Sequence, residues 1–306
     1  MSRIVFMGTP EYARRILELI AFPPHTFLVV TKPDMPLGRH RRVTPSAVAE
    51  WALTQGMDVL RPDRMRDVSE VIRAFQPDYI ITAAFGRILR PWLLDAPRFG
   101  AYNLHASLLP RWRGPNPVAW AIREGDPVSG VTLMAMDAGI DTGPIVAHAS
   151  VAIAPDDNTA TLTQRMADLG ATLWRDTIQR FPQHIFPSNP QSQQGVTQAP
   201  KFLASEGHID WGRDAERIDA HIRAMTPEPG TYAMLDGQRL KVLRAQTVSS
   251  QTLEHPGRIH SDGGDWLIAC GQGVLRISAI QPAGRGIMTP AAYQRGHRGP
   301  SEWMLR

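Results

Sequence analysis

The sequence has almost no cysteine: Cys270 stands alone among 306 residues. A single thiol excludes an internal disulfide framework and any cysteine-rich metal centre. Inside the strand-like run WLIACG it reads as a small buried apolar residue. The ten histidines are scattered, and no HExxH pair is present to hold a catalytic metal. No GxGxxG follows a strand, which gives a dinucleotide site little support. Long apolar runs are missing as well, so no segment reads as a bilayer-spanning helix. The stretch MSRIVFMGTPEYA passes straight into a strand and turn without the architecture of a signal peptide, and a cytoplasmic protein is the expectation. Lysine is scarce: Lys32, Lys201 and Lys241 are the only ones, so arginine supplies nearly all the basic charge behind a formal net charge of +4. That balance permits a phosphate-rich partner, and genomic base composition explains it equally well.

What is present suggests two domains, since the chain is too long for one core. RIVFM (3–7) is a buried-strand signal ending at Gly8. EYARRILELI (11–20) has helical spacing of Tyr12, Ile16, Leu19 and Ile20, and TFLVVT (26–31) is a second strand. This is the β-α-β opening of a doubly wound sheet, and the glycine turn after the first strand is more often architecture than a cofactor site. Pro33, Pro36 and Gly38 mark a loop carrying Arg39, His40, Arg41 and Arg42. Thr44 reads as the N-cap, and Pro45 as the first residue, of a helix reaching about Thr54. Further strands are expected at 58–60, 79–84, 100–104 and 130–136, with helices at 68–75, 117–124 and 158–180.

Composition then shifts to FPQHIFPSNPQSQQGVTQAP, a linker signal. Beyond it lie one short helix, with Ile218, Ile222 and Met225 on one face, and short strands joined around Asp236-Gly237 and Gly271-Gln272-Gly273. That pattern suggests a small barrel. The expected boundaries are 1–187 for an N-terminal α/β domain, 188–205 for a linker and 206–306 for the barrel domain.

Three polar residues carry candidate chemistry. Asn103 and His105 are two apart on a strand, so both face one side of it. Asp141 sits in the glycine-rich turn AGIDTG. An amide donor, an imidazole and a carboxylate brought together can run acyl transfer to an amine. Each residue alone has ordinary turn and capping roles that spacing does not exclude.

NLHASLLPRWRG followed by MDAGIDTGPI resembles the folate-dependent formyltransferases, and with MGTPEYA at the start and IQPAGRGIM near the end the likeness covers nearly the whole chain. It points to the branch that acts on methionyl-tRNA. The resemblance implies a Rossmann-like formyltransferase domain followed by an OB-like barrel, with Asn103, His105 and Asp141 catalytic and Asp137 outside that role. It implies 10-formyltetrahydrofolate as co-substrate, no metal, no membrane and no obligate protein partner. It places the folate pocket on Ala84, Phe85, Gly86 and Ile88 of AFGRIL, on Ser107, Leu108, Leu109 and Pro110, and on Asp137 and Gly139. Core packing is the competing reading there, most of all for Ile88. It implies that methionyl initiator tRNA is held by Arg39, Arg41 and Arg42 of the basic loop and by Arg239, Lys241, Arg244 and Arg285 of the barrel. Solvated surface is the competing reading for each of these cations.

The chain departs from the family's usual pattern in places. Arg-His-Arg-Arg stands where Arg-Gly-Lys-Lys is common, and Pro115 and Asn116 stand where small residues are common beside the acceptor pocket. Two other classes remain open at this point. A sugar-nucleotide N-formyltransferase would share Asn103, His105 and Asp141, and an RNA-binding protein would use the barrel alone.

Overall fold

The structure is a computed structural model, and it describes residues 1–37, 42–181, 184, 186–250, 255–296 and 303–306. Two compact units emerge: Met1–Pro117, Val128–Ala152 and Thr163–Pro200 form the first, and Val118–Pro127, Ile153–Leu162 and Lys201–Arg306 form the second.

The first unit opens as β1 (Arg3–Gly8), α1 (Glu11–Ile20) and β2 (Thr26–Val30), followed by a hairpin of β3 (Met35–Leu37) and β4 (Arg42–Thr44). Then come α2 (Ala47–Thr54), β5 (Asp58–Leu60), α3 (Ser69–Phe75), β6 (Tyr79–Ala83), α4 (Pro91–Leu94), β7 (Ala101–His105), α5 (Pro117–Arg123), which counts with the second unit from Val118 on, β8 (Val128–Ala135), β9 (Ile145–Ala152) and α6 (Thr159–Arg180), which counts with the first from Thr163 on. The sheet order is β5-β2-β1-β6-β7-β8-β9, parallel through β7, with β8 and β9 antiparallel. The chain reverses its direction of travel between β1 and β6, the switch point of a doubly wound sheet.

Alternation along β1 divides the packing. Val5 and Met7 join Ile80, Ala101, Ile72 and Leu93 on one face. Tyr12, Ala13, Ile16, Leu17 and Ile20 give α1 its buried stripe at helical spacing. Gly8 is required by close approach, because a Cβ there would lie 2.4 Å from the Cβ of Ala13 and 3.0 Å from the carbonyl of Ala83. Its role is architectural.

One helix start differs from expectation. Thr44 closes β4, and the N-cap of α2 is Ser46, whose Oγ accepts the Ala49 N–H at 3.0 Å. The hairpin claims Thr44, whose hydroxyl donates to the Arg42 carbonyl, so the helix begins at Ala47 rather than Pro45.

The proline- and glutamine-rich segment after α6 is stitched into the first unit. Asn189 and Ile145 exchange backbone hydrogen bonds at 2.8 and 2.9 Å, and Ala199 donates to the Arg113 carbonyl at 2.7 Å.

The second unit carries α7 (Ala215–Met225), β10 (Thr231–Leu235), β11 (Gln238–Ser249), β12 (Ile259–Asp262), β13 (Asp265–Ala269), β14 (Val274–Pro282) and α8 (Pro290–Arg295). The five strands form an antiparallel sheet ordered β10-β11-β14-β13-β12. Asp236 and Gly237 both have positive φ, +49° and +73°, as a two-residue hairpin turn demands. The terminal residues close the sheet on itself. Arg306 exchanges two backbone hydrogen bonds with Met234 of β10, while Leu305 donates to Gly257 and Ile259 of β12 donates to Trp303. Fully buried Trp266 fills the interior, edge-on to Tyr293 and Trp303. Burial pushes the Cys270 thiol up to about 12, as expected of an inert core residue. Among the described residues no helix is long and apolar enough to cross a membrane.

Candidate active site

β7 delivers Asn103 and His105 on one face of the sheet, next to β6, where Thr82 lies in register with Asn103. The Thr82 hydroxyl donates to Asn103 Oδ1 at 2.9 Å, which turns the amide so that Nδ2 points away from β6. β8 returns antiparallel, with Ala135 opposite Tyr102, and the turn that follows brings Asp141 onto the same two side chains.

That turn is built from within. Asp137 Oδ1 accepts from the Gly139 N–H at 3.0 Å and from the Thr142 hydroxyl at 2.8 Å. A side chain at Gly143 would strike the Ala135 carbonyl at 1.9 Å. Asp141 itself has φ of +54°, a left-handed backbone that aspartate tolerates better than most residues. Asp137 is thus consumed in shaping the turn, and Asp141 is the carboxylate that reaches the imidazole.

The geometry assigns distinct work to each atom. Asp141 Oδ2 is anchored by the Gly114 N–H at 2.8 Å. Asp141 Oδ1 lies 3.5 Å from His105 Nδ1 and 3.4 Å from Asn103 Nδ2. Both separations are long for hydrogen bonds, so neither donor is saturated by the carboxylate. The other ring nitrogen, His105 Nε2, lies 2.9 Å from the Trp112 carbonyl. A carbonyl only accepts, so Nε2 carries a proton, and Nδ1 is the nitrogen left for chemistry. His105 is 6% exposed and Asp141 15%.

The remaining expected residues are placed as follows. Phe85 is 3% exposed and packs into the core, so its side chain is structural. Ile88 is 63% exposed, which rules out the core reading for it. Ala84 and Gly86 have φ of +45° and +69° and turn the chain at the carboxyl end of β6. Ser107 is fully buried and donates to the Arg111 carbonyl at 2.6 Å, while the Thr132 hydroxyl accepts from Leu109 N–H and donates to Ser107 carbonyl. These bonds fix the loop through Leu108, Leu109 and Pro110. Arg39 and Arg41 lie outside the described residues, and Arg42 is exposed on β4. On β11, Arg239 and Lys241 alternate with buried Leu240 and Val242, and a bulge beside Arg244 restores its outward direction. The Arg239 guanidinium stacks 3.6 Å over the Tyr232 ring. Arg285 is exposed in the turn after β14. Among the described residues no group of three His, Cys, Asp or Glu side chains is placed to hold a metal ion.

Several participants carried no sequence signal. The Trp112 carbonyl and the Gly114 N–H are backbone groups that no side chain announces, although φ of +121° and the Ala199 carbonyl 2.9 Å from a would-be Cβ call for glycine at 114. Thr82 becomes visible only once β6 and β7 are aligned in register.

The sequence profile of the formyl transferases matches residues 2–178, and that of the formyl transferase C-terminal domain matches residues 201–298. The chain belongs to the formyl transferase family. Within the family, the methionyl-tRNA formyltransferase of Myxococcus xanthus is 40% identical over 97% of this chain and 95% of its own. The protein of the same name from Burkholderia ambifaria is 41% identical over 92% and 90%. Among solved structures, an N-formyltransferase from Helicobacter canadensis, in complex with folinic acid and dTDP-3-aminofucose, superposes with a TM-score of 0.68 at 19% identity, covering 92% of this chain and all of its own. HypX from Aquifex aeolicus in complex with tetrahydrofolic acid gives 0.65 at 17%, covering 95% of this chain, which spans 46% of the HypX chain. At such identities these structures establish the formyltransferase fold alone.

Proposed function

We propose that this chain transfers the formyl group of 10-formyltetrahydrofolate to the α-amine of methionyl initiator tRNA, in the cytoplasm, at Asn103, His105 and Asp141. The observation that carries the reading is the full-length likeness, at about 40% identity, to proteins named methionyl-tRNA formyltransferase, extending through both units. The site's geometry suits the chemistry. The amine nitrogen bonds to the formyl carbon, the bond from that carbon to the folate nitrogen breaks, and one amine proton ends on that nitrogen. Asn103 Nδ2 and His105 Nδ1, both unsaturated, donate to the formyl oxygen as negative charge develops on it. One such donor is typically worth about 2.7–4 kcal/mol of barrier. Asp141 Oδ1 accepts the amine proton directly or through a water, His105 relays it toward the folate nitrogen as the carbon–nitrogen bond breaks, and Oδ2 stays fixed on Gly114.

The folate fits the surroundings. Ile88 and Ile140 leave apolar side chains 63% and 62% exposed on the loops after β6 and β8, suited to covering an aromatic ring system. Holding two substrates in register can contribute roughly 7–11 kcal/mol, which gives a second domain with outward Arg239, Lys241 and Arg244 its purpose in gripping tRNA. In this reading 1–187 does the chemistry, 188–205 joins the two parts, and the barrel of 206–306 binds tRNA together with Arg39, Arg41 and Arg42.

The test is formyl transfer to methionyl initiator tRNA, with methionyl elongator tRNA and an amino-sugar nucleotide beside it. Transfer to the initiator alone is expected. Transfer to the amino sugar alone would move the chain to the sugar-nucleotide branch.

A further inference from the structure

Asp141 meets His105 from a left-handed backbone, which aspartate adopts more readily than most L-residues but still at a cost. Something outside the turn must hold it. Gln191, in the proline- and glutamine-rich segment after α6, makes that contact. Its Nε2 donates to the carbonyl of Asp141 at 2.9 Å and to that of Gly143 at 2.8 Å. Its Oε1 accepts from Nε and Nη2 of Arg113 at 3.0 and 2.7 Å. Both donors and both acceptor positions of the amide are therefore used. Gln191 is 8% exposed and Arg113 9%. A neutral amide is the side chain that serves both neighbours, since a carboxylate could not donate to two carbonyls and an amine could not accept from a guanidinium.

The same segment holds the other side of the imidazole. Thr197 Oγ1 accepts the Trp112 N–H at 2.8 Å, and the Trp112 carbonyl is the partner of His105 Nε2. Both groups that flank the ring are thus tied to one stretch of chain.

We infer that Gln191 is a positioning residue of the formyl-transfer centre: its amide clamps the Asp141 turn and so sets the approach of the Asp141 carboxylate to His105 Nδ1. The inference rests on the function proposed above. The bonds it needs run from the amide NH₂ to two turn carbonyls and from the Arg113 guanidinium to the amide oxygen, and they are short, buried and mutually satisfied, the conditions under which a polar network specifies one geometry.

Gln191→Glu tests it. The glutamate keeps the size and the acceptor for Arg113 and loses both donors to the turn. Steady-state kinetics with 10-formyltetrahydrofolate and methionyl initiator tRNA should show kcat lower by on the order of 10²-fold, the cost of misplacing a reacting group by about 1 Å. KM for both substrates should stay within about 2-fold, because uniform binding is untouched. Made in an Asp141→Asn background, the same substitution should cost less than about 2-fold in single-turnover rate, because its effect passes through the missing carboxylate. Equal losses in both backgrounds, or an unchanged kcat in the Asp141 background, would overturn the inference. Should Gln191→Glu fail to fold, Gln191→Met, which removes both donors and also the acceptor for Arg113 without adding charge, is scored by the same criteria. Wild-type protein is the control. Its failure to formylate the tRNA would overturn the functional reading and this inference with it, whereas an active wild type with an unaffected variant overturns this inference alone.

Discussion

Replacing Asp141 by asparagine should all but stop turnover while leaving the fold and tRNA affinity in place. Asparagine accepts the left-handed backbone at φ of +54° at least as well as aspartate, so the turn should form. The new amide has one orientation that suits its neighbours. The Gly114 N–H, now 2.8 Å from Oδ2, requires an acceptor, so the amide oxygen takes that place. The NH₂ then faces Asn103 Nδ2 and His105 Nδ1. With Nε2 still donating to the Trp112 carbonyl and the new NH₂ facing it, Nδ1 is left as an acceptor. One oxyanion donor is lost, at about 2.7–4 kcal/mol. The proton acceptor is lost too, and general-base assistance is typically worth 10²- to 10⁴-fold, roughly 2.7–5.4 kcal/mol. Such losses overlap rather than add, so the total is expected at about 10⁴-fold, or about 5.4 kcal/mol. The assay is single-turnover formylation of methionyl initiator tRNA, with the dissociation constant measured separately by filter binding. A rate within tenfold of wild type would refute the assignment of Nδ1 and Asp141 Oδ1 as the working pair. A rate lost together with tRNA affinity would show that the variant had disturbed more than the chemistry.

Removing Arg239 and Lys241 together as alanines should lower the slope of log affinity against log salt by about 0.7–0.9 for each phosphate no longer neutralised, and an unchanged slope would make them solvated surface. Leu305→Ala should cost about 2–5 kcal/mol in urea unfolding of the full chain, because Leu305 is 2% exposed and lies in the segment that closes the barrel; a loss under about 1 kcal/mol would mean the closure is dispensable. Burial first, and the neighbouring Arg123 next, hold His221 of α7 down to about 4, against a smaller opposing effect of a hydrogen bond to the Glu206 backbone. Its folded pKa is depressed, and the unfolded chain takes up this proton near pH 6.5, so stability should be full above pH 6.5 and fall as the pH drops toward 4. The loss attributable to this residue at pH 4.5 should be about 2–3 kcal/mol. His221→Gln should remove that acid-dependent part of the urea midpoint, and parallel pH profiles for the two proteins would refute it.

How much of this was legible in the sequence depended on whether the information lay in side-chain pattern or in backbone position. The period-2 spacing of Asn103 and His105 fixed their common face, and the structure places both on β7 as the pattern requires. The hairpin at Asp236-Gly237 was equally direct, because two consecutive positive φ values admit few residue types. β9 and β12 were harder to see. β9 reads IVAHASVA and has no buried residue, its exposed positions alternating only with half-buried ones, and β12 has three exposed residues in four, so neither shows the alternation of a strand that buries one face. At Thr44 the local capping rule fails because a hairpin formed by β3 and β4 competes for the residue that the rule assigns to the helix.

The composition of the 188–205 segment explains the largest gap between pattern and site. Proline, glutamine and serine lower local secondary structure, and this is all that composition reports. It does not report whether extended chain is free in solvent or bonded to a neighbour. Gln191, Thr197 and Ala199 spend backbone or side-chain groups on the loops around Asp141 and Trp112, Asn189 pairs with Ile145 at the start of β9, and that pairing leaves no periodic trace in their own sequence. The loops they hold carry positive φ at Trp112 (+63°) and Asp141 (+54°), conformations that local sequence would not maintain by itself. A stretch that looks least structured can therefore be the one that determines where the carboxylate stands, since an irregular turn must be held by hydrogen bonds from outside itself. The same reasoning says where such residues should be sought: among buried neutral amides whose four hydrogen-bonding positions are all taken, as Gln191's are.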